Sequence, residues 1–192
     1  MNPAAPAAPP AWQERWLALV ARMVLVTSPA EEEQLIASLC RLERQRTEVL
    51  AFVNAHALNS AAASADFFQA VRAADVVLRD GSGVALLLRL LELEPGLNLN
   101  GTDLIPKLLA CFAGRRIALY GTQEPYLSRA RSKLLAKGCM TAGCDTAHGF
   151  LDAAQYIALA HAQRPELIVL GMACRARSRW RWRCARRWPI PA

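Results

Sequence analysis

The residues best placed to do chemistry stand in short polar clusters that each follow an apolar run. They are Asn54-Ala55-His56, Asp80-Gly81-Ser82-Gly83, Gly101-Thr102-Asp103, Gly121-Thr122-Gln123 and Gly171-Met172. Asp80 stands where an apolar run ends. The glycines beside it let a backbone approach a ligand, and a helix starting there favours a phosphate. The spacing resembles G-x-G-x-x-G, but Leu86 occupies the third glycine position. No acidic residue ends a following strand where a ribose would need it, which argues against a nicotinamide dehydrogenase. Each cluster also has a plain structural use. Asp-Gly is a common turn, and Asp80 could cap a helix. Thr102 is a good N-cap with Asp103 complementing the helix dipole. Gly121 and Thr122 could bind phosphate or merely turn the chain, and Asn54 and His56 could be turn residues. His148 and His161 read as solvated or packed histidines.

The elements that must position these clusters follow from periodicity. Trp12 to Met23 carries apolar residues at helical spacing. Ser28-Pro29-Ala30-Glu31 reads as a helix start, with an N-cap serine, proline at N1 and a capping-box glutamate, and the helix is expected to run to about Arg46. Strands are expected at Glu48 to Val53, Asp75 to Arg79, Arg116 to Tyr120, weakly at Met140 to Asp145, and at Glu166 to Leu170. Helices are expected between them: one containing Asp66, Phe67, Phe68 and Val71, then Gly83 to Leu93, Thr102 to Phe112, Glu124 to Ala136 and Leu151 to Gln163. Strands separated by helices predict an α/β fold, a parallel Rossmann-like sheet with helices on both faces. In such a sheet ligands sit beyond the carboxyl ends of the strands, where the polar clusters fall.

Composition excludes several classes. With 192 residues, 54% of them hydrophobic and 20% charged, the chain suits one globular domain with a real core. No apolar run approaches the roughly eighteen residues that span a bilayer. Met1 to Pro10 is a Pro/Ala tract without a basic start or an apolar continuation, and reads as a disordered leader rather than a signal peptide. The net charge of +7 is one tail: Ala173 to Ala192 holds seven arginines and no acid, leaving 16 basic against 16 acidic side chains elsewhere. A nucleic-acid partner is therefore not expected for the domain. The six cysteines form no C-x-x-C pair and no zinc-finger spacing, although Cys139 and Cys144 could be half of a ligand set. They read as reduced, mostly buried thiols.

Taken in order, the clusters carry a resemblance. A-D-V-V-L-R-D-G-S-G-V (Ala74 to Val84), N-G-T-D-L (Asn100 to Leu104), a strand ending G-T-Q, H-G-F (His148 to Phe150) and P-E-L-I-V-L-G-M (Pro165 to Met172) resemble the WecG/TagA/CpsF family of bacterial glycosyltransferases. The likeness covers roughly Val24 to Met172. It implies an inverting transferase that needs no metal and no cofactor. Such an enzyme passes an N-acetylmannosamine-type sugar from a UDP-sugar donor to a polyprenyl-diphosphate-linked sugar acceptor in cell-surface polysaccharide synthesis. The resemblance places the catalytic aspartate on Asp80. It suggests sugar or nucleotide contacts for Asn54, Gly101, Thr102, Asp103, Gly121 and Thr122, and His56 and Gly81, beside the same expected strand ends, join them as candidate substrate contacts. There is no Asp-x-Asp motif, so the charge of a leaving diphosphate would fall to backbone amides and basic side chains. The implied location is cytoplasmic, with peripheral contact at the inner face of the plasma membrane and a homo-oligomer both left open. The chain departs from the family pattern at Asn98, where an arginine is frequent, at Phe52, where a polar residue stands, and at Gly149-Phe150-Leu151 in place of G-Y-F.

After Met172 the family continues G-x-P-K/R-Q-E, whereas this chain reads A-C-R-A-R-S-R-W-R-W-R-C-A-R-R-W. Ala173 to Trp180 can be encoded GCG TGC CGC GCC AGG AGC AGG TGG. One restored G turns those bases into GGC GTG CCG CGC CAG GAG CAG GTG, which is G-V-P-R-Q-E-Q-V, the family motif in place. Three of the five tryptophans fall in this tail, as GC-rich out-of-frame reading would produce. The expected organisation is a leader and first helix over 1–23, a transferase domain over 24–172 lacking the C-terminal part of the family fold, and an out-of-frame Arg/Trp tail over 173–192. Two rival readings are an inactive remnant retaining at most nucleotide binding, and a tail that binds anionic lipid or nucleic acid.

Overall fold

A computed structural model describes residues 11–41, 47–139 and 146–171. The leader, the weak strand expected at Met140 to Asp145, and the tail lie outside the described residues. Within them the order is α1 (Ala11–Val20), β1 (Met23–Val24), α2 (Pro29–Leu39), β2 (Leu50–Val53), α3 (Ala55–Ala63), α4 (Ala65–Arg72), β3 (Val76–Arg79), α5 (Ser82–Leu90), α6 (Gly101–Cys111), β4 (Ile117–Gly121), α7 (Tyr126–Ala136), β5 (Thr146–Ala147), α8 (Ala153–Gln163) and β6 (Leu167–Gly171). All pairings are parallel, as the alternation of strands and helices requires. Among the described residues the parallel strands of this expected Rossmann-like fold pair as two three-stranded sheets, β1-β3-β2 and β5-β4-β6.

Both faces of each sheet are covered, because successive strand side chains point to opposite sides. Ala51, Val53 and Val77 join one core with α1, α3, α4 and α5, while Leu50, Phe52, Val76 and Leu78 join another with α2 and α6. In the second sheet Ala118, Tyr120, Ile168 and Leu170 pack with α8, and Ile117, Leu119, Leu167 and Val169 pack with α6 and α7. Helix α6 therefore touches both sheets, through Leu104 and Leu108 near one and Leu109 near the other. Val53, Val77, Leu78, Leu88 and Ile117 are completely buried. Each contributes roughly 1.5–3 kcal/mol relative to an exposed side chain.

Helix α2 begins at the expected place. Ser28 Oγ accepts the Glu31 amide at 3.3 Å, and proline stands at N1. The reciprocal half of the capping box differs: the Glu31 carboxylate accepts from the Thr27 amide at 2.8 Å and from the Thr27 hydroxyl. Those bonds, the backbone one first, hold the Glu31 carboxyl below its usual range. The helix stops at Leu39 rather than continuing toward Arg46. Ser28→Ala should cost about 1 kcal/mol in urea unfolding; an unchanged midpoint would show that the Glu31–Thr27 clasp starts the helix alone. Cys40, Cys111 and Cys139 are partly exposed rather than buried.

Candidate functional site

The paired register of β2 and β3 sets Val53 beside Arg79, so the next residues of both strands, Asn54 and Asp80, emerge together. The Asp80 amide donates to the Val53 carbonyl at 2.9 Å, extending the ladder by one bond. Asn54 Nδ2 then reaches Asp80 Oδ2 at 3.4 Å, a long and weak hydrogen bond. The other end of the Asn54 side chain is occupied: Oδ1 accepts the Ala57 amide at 3.0 Å and caps α3. His56 sits exposed in the first turn of that helix.

The capping use of Asp80 is not what the structure shows. Helix α5 has Gly81 as its N-cap and no side-chain cap bond, so the Asp80 carboxylate does not cap it. Gly81 has φ +87°, which favours glycine. Gly83, in the first turn of α5, would place a Cβ 3.1 Å from the Ala55 Cβ. Its bareness lets the starts of α3 and α5 approach each other beside the carboxylate. Two helix N-termini with their partial positive charge thus flank Asp80.

A third helix start is tied to the same place through the loop before α6. Asn98 Oδ1 accepts the Gly81 amide at 2.8 Å. Arg79, only 5% exposed, donates Nε to the Pro95 carbonyl at 2.9 Å, Nη1 to the Gly81 carbonyl at 3.0 Å and Nη2 to the Gly96 carbonyl at 3.0 Å. Burial pulls the Arg79 guanidinium below its ordinary value; Arg89 adds to this and the neighbouring Asp80 opposes it. Two residues beyond Asn98, Asn100 caps α6. Its Oδ1 accepts the Asp103 amide at 2.9 Å while its Nδ2 donates to Asp103 Oδ2 at 2.8 Å. The expected cap, Thr102, lies instead in the first turn, exposed. Asn100 wins because an N-cap needs extended backbone before the helix, and its side-chain oxygen reaches the third amide onward. Gly101 faces Phe52 of β2, with a built Cβ at 3.7 Å from that ring.

Gly121 and Thr122 belong to the other sheet. Gly121 has φ +126° and Thr122 φ +55°, two successive residues in positive-φ backbone. The Thr122 amide donates to the Gly171 carbonyl at 2.9 Å, and its carbonyl accepts the Gly149 amide at 2.8 Å. The ends of β4, β5 and β6 are therefore laced together at this turn. His148 lies in the same loop, with Nδ1 accepting the Phe150 amide at 3.3 Å. Buried Tyr156 donates its hydroxyl to the His148 carbonyl at 2.6 Å, and burial pushes its phenol upward.

Among the described residues no group of three His, Cys, Asp or Glu side chains is gathered as a metal-ligand set. Cys144, the possible partner of Cys139, lies outside them. A cleft of about 390 Å³ between α1 and α4, lined in part by Arg15, Phe68 and Arg72, contains none of the candidate residues.

Residues missed at the sequence level are Arg79, Asn98 and Asn100. A lone arginine closing the apolar run V-V-L, and the N-x-x-D pattern of Asn100 and Asp103, were the available signals.

Parallel strands, helices on both faces and polar residues at the strand carboxyl ends define a Rossmann-like α/β protein whose binding edge faces away from the strand starts. Residues 19–192 match the Glycosyl transferase WecG/TagA/CpsF family, and the chain belongs to it. The match includes the residues of the Arg/Trp tail. No curated protein matches the chain.

Proposed function

We propose that this chain transfers an N-acetylmannosamine-type sugar, with inversion and without a metal, from a UDP donor to a polyprenyl-diphosphate-linked acceptor for a cell-surface polysaccharide. The observation that carries this reading is the Asp80 carboxylate at the end of β3, which caps no helix, holds one long contact from Asn54 Nδ2 and is flanked by the starts of α3 and α5. Asp80 takes the proton from the acceptor hydroxyl. The hydroxyl oxygen attacks the anomeric carbon from the face opposite the diphosphate. The bond from that carbon to the diphosphate oxygen breaks, and UDP leaves with the electron pair. Helix starts and backbone amides receive the negative charge that develops on the leaving group. Asn54, His56, Gly81, Gly101, Thr102 and Asp103 serve the sugar and acceptor, and Gly121 and Thr122 the nucleotide. Among the described residues no helix is long and apolar enough to cross a membrane. The lipid-linked acceptor would bring the enzyme to the inner face as a peripheral partner.

The frame reading belongs to the same proposal. A G-V-P-R-Q-E segment directly after Met172 would follow the carboxyl end of β6, at the same edge of the fold as Gly121 and Thr122. Its arginine and glutamate suit diphosphate pairing and acceptor positioning. The test compares UDP release by the 192-residue chain and by the chain with the restored frame. The donor is UDP-N-acetylmannosamine and the acceptor a lipid-diphosphate sugar, with and without EDTA. The restored chain should transfer in both conditions and the 192-residue chain little or not at all. Equal activity from both would sink the role of the restored segment, and loss of transfer in EDTA would sink the metal-free mechanism.

A further inference from the structure

We infer that Arg79 and Asn98 form a clamp that positions the Asp80 carboxylate, so that both act as positioning residues for the transfer. The inference rests on the proposed role of Asp80. Arg79 precedes Asp80 in the chain and lies buried, with its guanidinium spent on main-chain carbonyls of Gly81, Pro95 and Gly96. A buried cation is costly unless its donors are satisfied, and here three carbonyls and the Asn98 side-chain oxygen, the last at 3.4 Å from Nη1, do so. The effect on Gly81 is specific. Its carbonyl is held by Arg79 and its amide by Asn98, so the peptide groups on both sides of this glycine are tied. Gly81 is the residue with the least intrinsic restraint in this stretch, at φ +87° with open space around it. Without the clamp the turn bearing Asp80 would be free to swing, and the carboxylate with it. The same bonds tether the 95–98 loop, so the start of α6 and the start of α5 are set relative to one another. A plain buried arginine that only filled space would need neither the Asn98 bridge nor a forked grip on two separate segments.

Asn98 is exposed, so replacing it should leave the core intact. Asn98→Leu removes the acceptor for the Gly81 amide. Asn98→Asp keeps an oxygen there and adds an anion facing Arg79. Amide exchange of the full 192-residue chain should show the Gly81 amide exchanging roughly tenfold faster in Asn98→Leu, with the β2 and β3 amides unchanged. Asn98→Asp should stay near the parent. In the frame-restored chain, Asn98→Leu should lower kcat for UDP release roughly ten- to hundredfold, with the donor KM little changed. Asn98→Asp should recover most of it. Unchanged exchange at Gly81, or faster exchange with normal kcat, would overturn the clamp as a positioning device. A parent chain that transfers no sugar would sink the proposed function instead, and the exchange result would then decide the clamp by itself.

Discussion

Asp80→Asn, made in the frame-restored chain, should lower kcat for UDP release by roughly a hundredfold or more, the loss expected for a general base. The substitution is nearly isosteric, and the contacts that place the side chain survive it. The Asp80 amide bond to Val53 is main-chain, and an amide oxygen can still accept from Asn54 Nδ2. What disappears is the capacity to take a proton. Affinity for the nucleotide part of the donor, measured by calorimetry with UDP, should therefore remain within a few-fold of the parent, because a lost base removes transition-state stabilisation and not ground-state binding. The structure sharpens this test because α5 does not use Asp80 as a cap. A fall in stability equal to the fall in rate would point to a structural carboxylate. Near-normal turnover would make Asp80 a contact and leave the base elsewhere.

Much of this arrangement is legible in the sequence. The strands β2, β3, β4 and β6 are short apolar runs bounded by polar residues, and a run buried on both faces has only one common home, a parallel sheet. Ser28-Pro29 marked a helix start because side-chain oxygen and fixed φ act locally. What escaped notice depends on distant partners. Helix α3 was not expected; only the helix containing Asp66 was, and Ser64 separates the two, its hydroxyl accepting the Phe67 amide while its own amide closes α3 on Ser60. In an alanine-rich run that serine gave no periodic signal. Strand β1 is two residues long, too short for alternation to register. The division into two sheets depends on which strands pair, and pairing leaves no mark in a single sequence. At the site, Asp80 and Asn54 were found because each follows a strand. The Arg79 grip was not, because its partners are carbonyls of Gly81, Pro95 and Gly96, which every residue type possesses.

Gly121→Ala should be strongly destabilising, unfolding the second sheet at denaturant concentrations the parent tolerates. The added Cβ would stand 2.4 Å from the Gly171 carbonyl carbon and 2.5 Å from its oxygen, both backbone atoms that cannot rotate aside. Gly121 pairs with Gly171 in the β4–β6 register, and the Thr122 amide bonds to that same carbonyl. Relief of the clash must therefore spread the end of the ladder and release the turn. The φ of +126° adds strain, because side chains rarely adopt that backbone. Together these should cost about 3 kcal/mol or more, placing the change in the tail of single-substitution effects. A domain with roughly 5–15 kcal/mol in total would lose a large part of it. Gly138→Ala supplies the control. That glycine also has a positive φ, +68°, but a Cβ there meets nothing within 4 Å. It should cost only about 1–2 kcal/mol, the penalty of left-handed backbone without a clash. Urea unfolding of the parent and both variants reads the difference directly. If the two substitutions shift the midpoint equally, backbone conformation alone sets the cost, and the close approach of β4 to β6 at Gly171 is not what requires glycine at position 121.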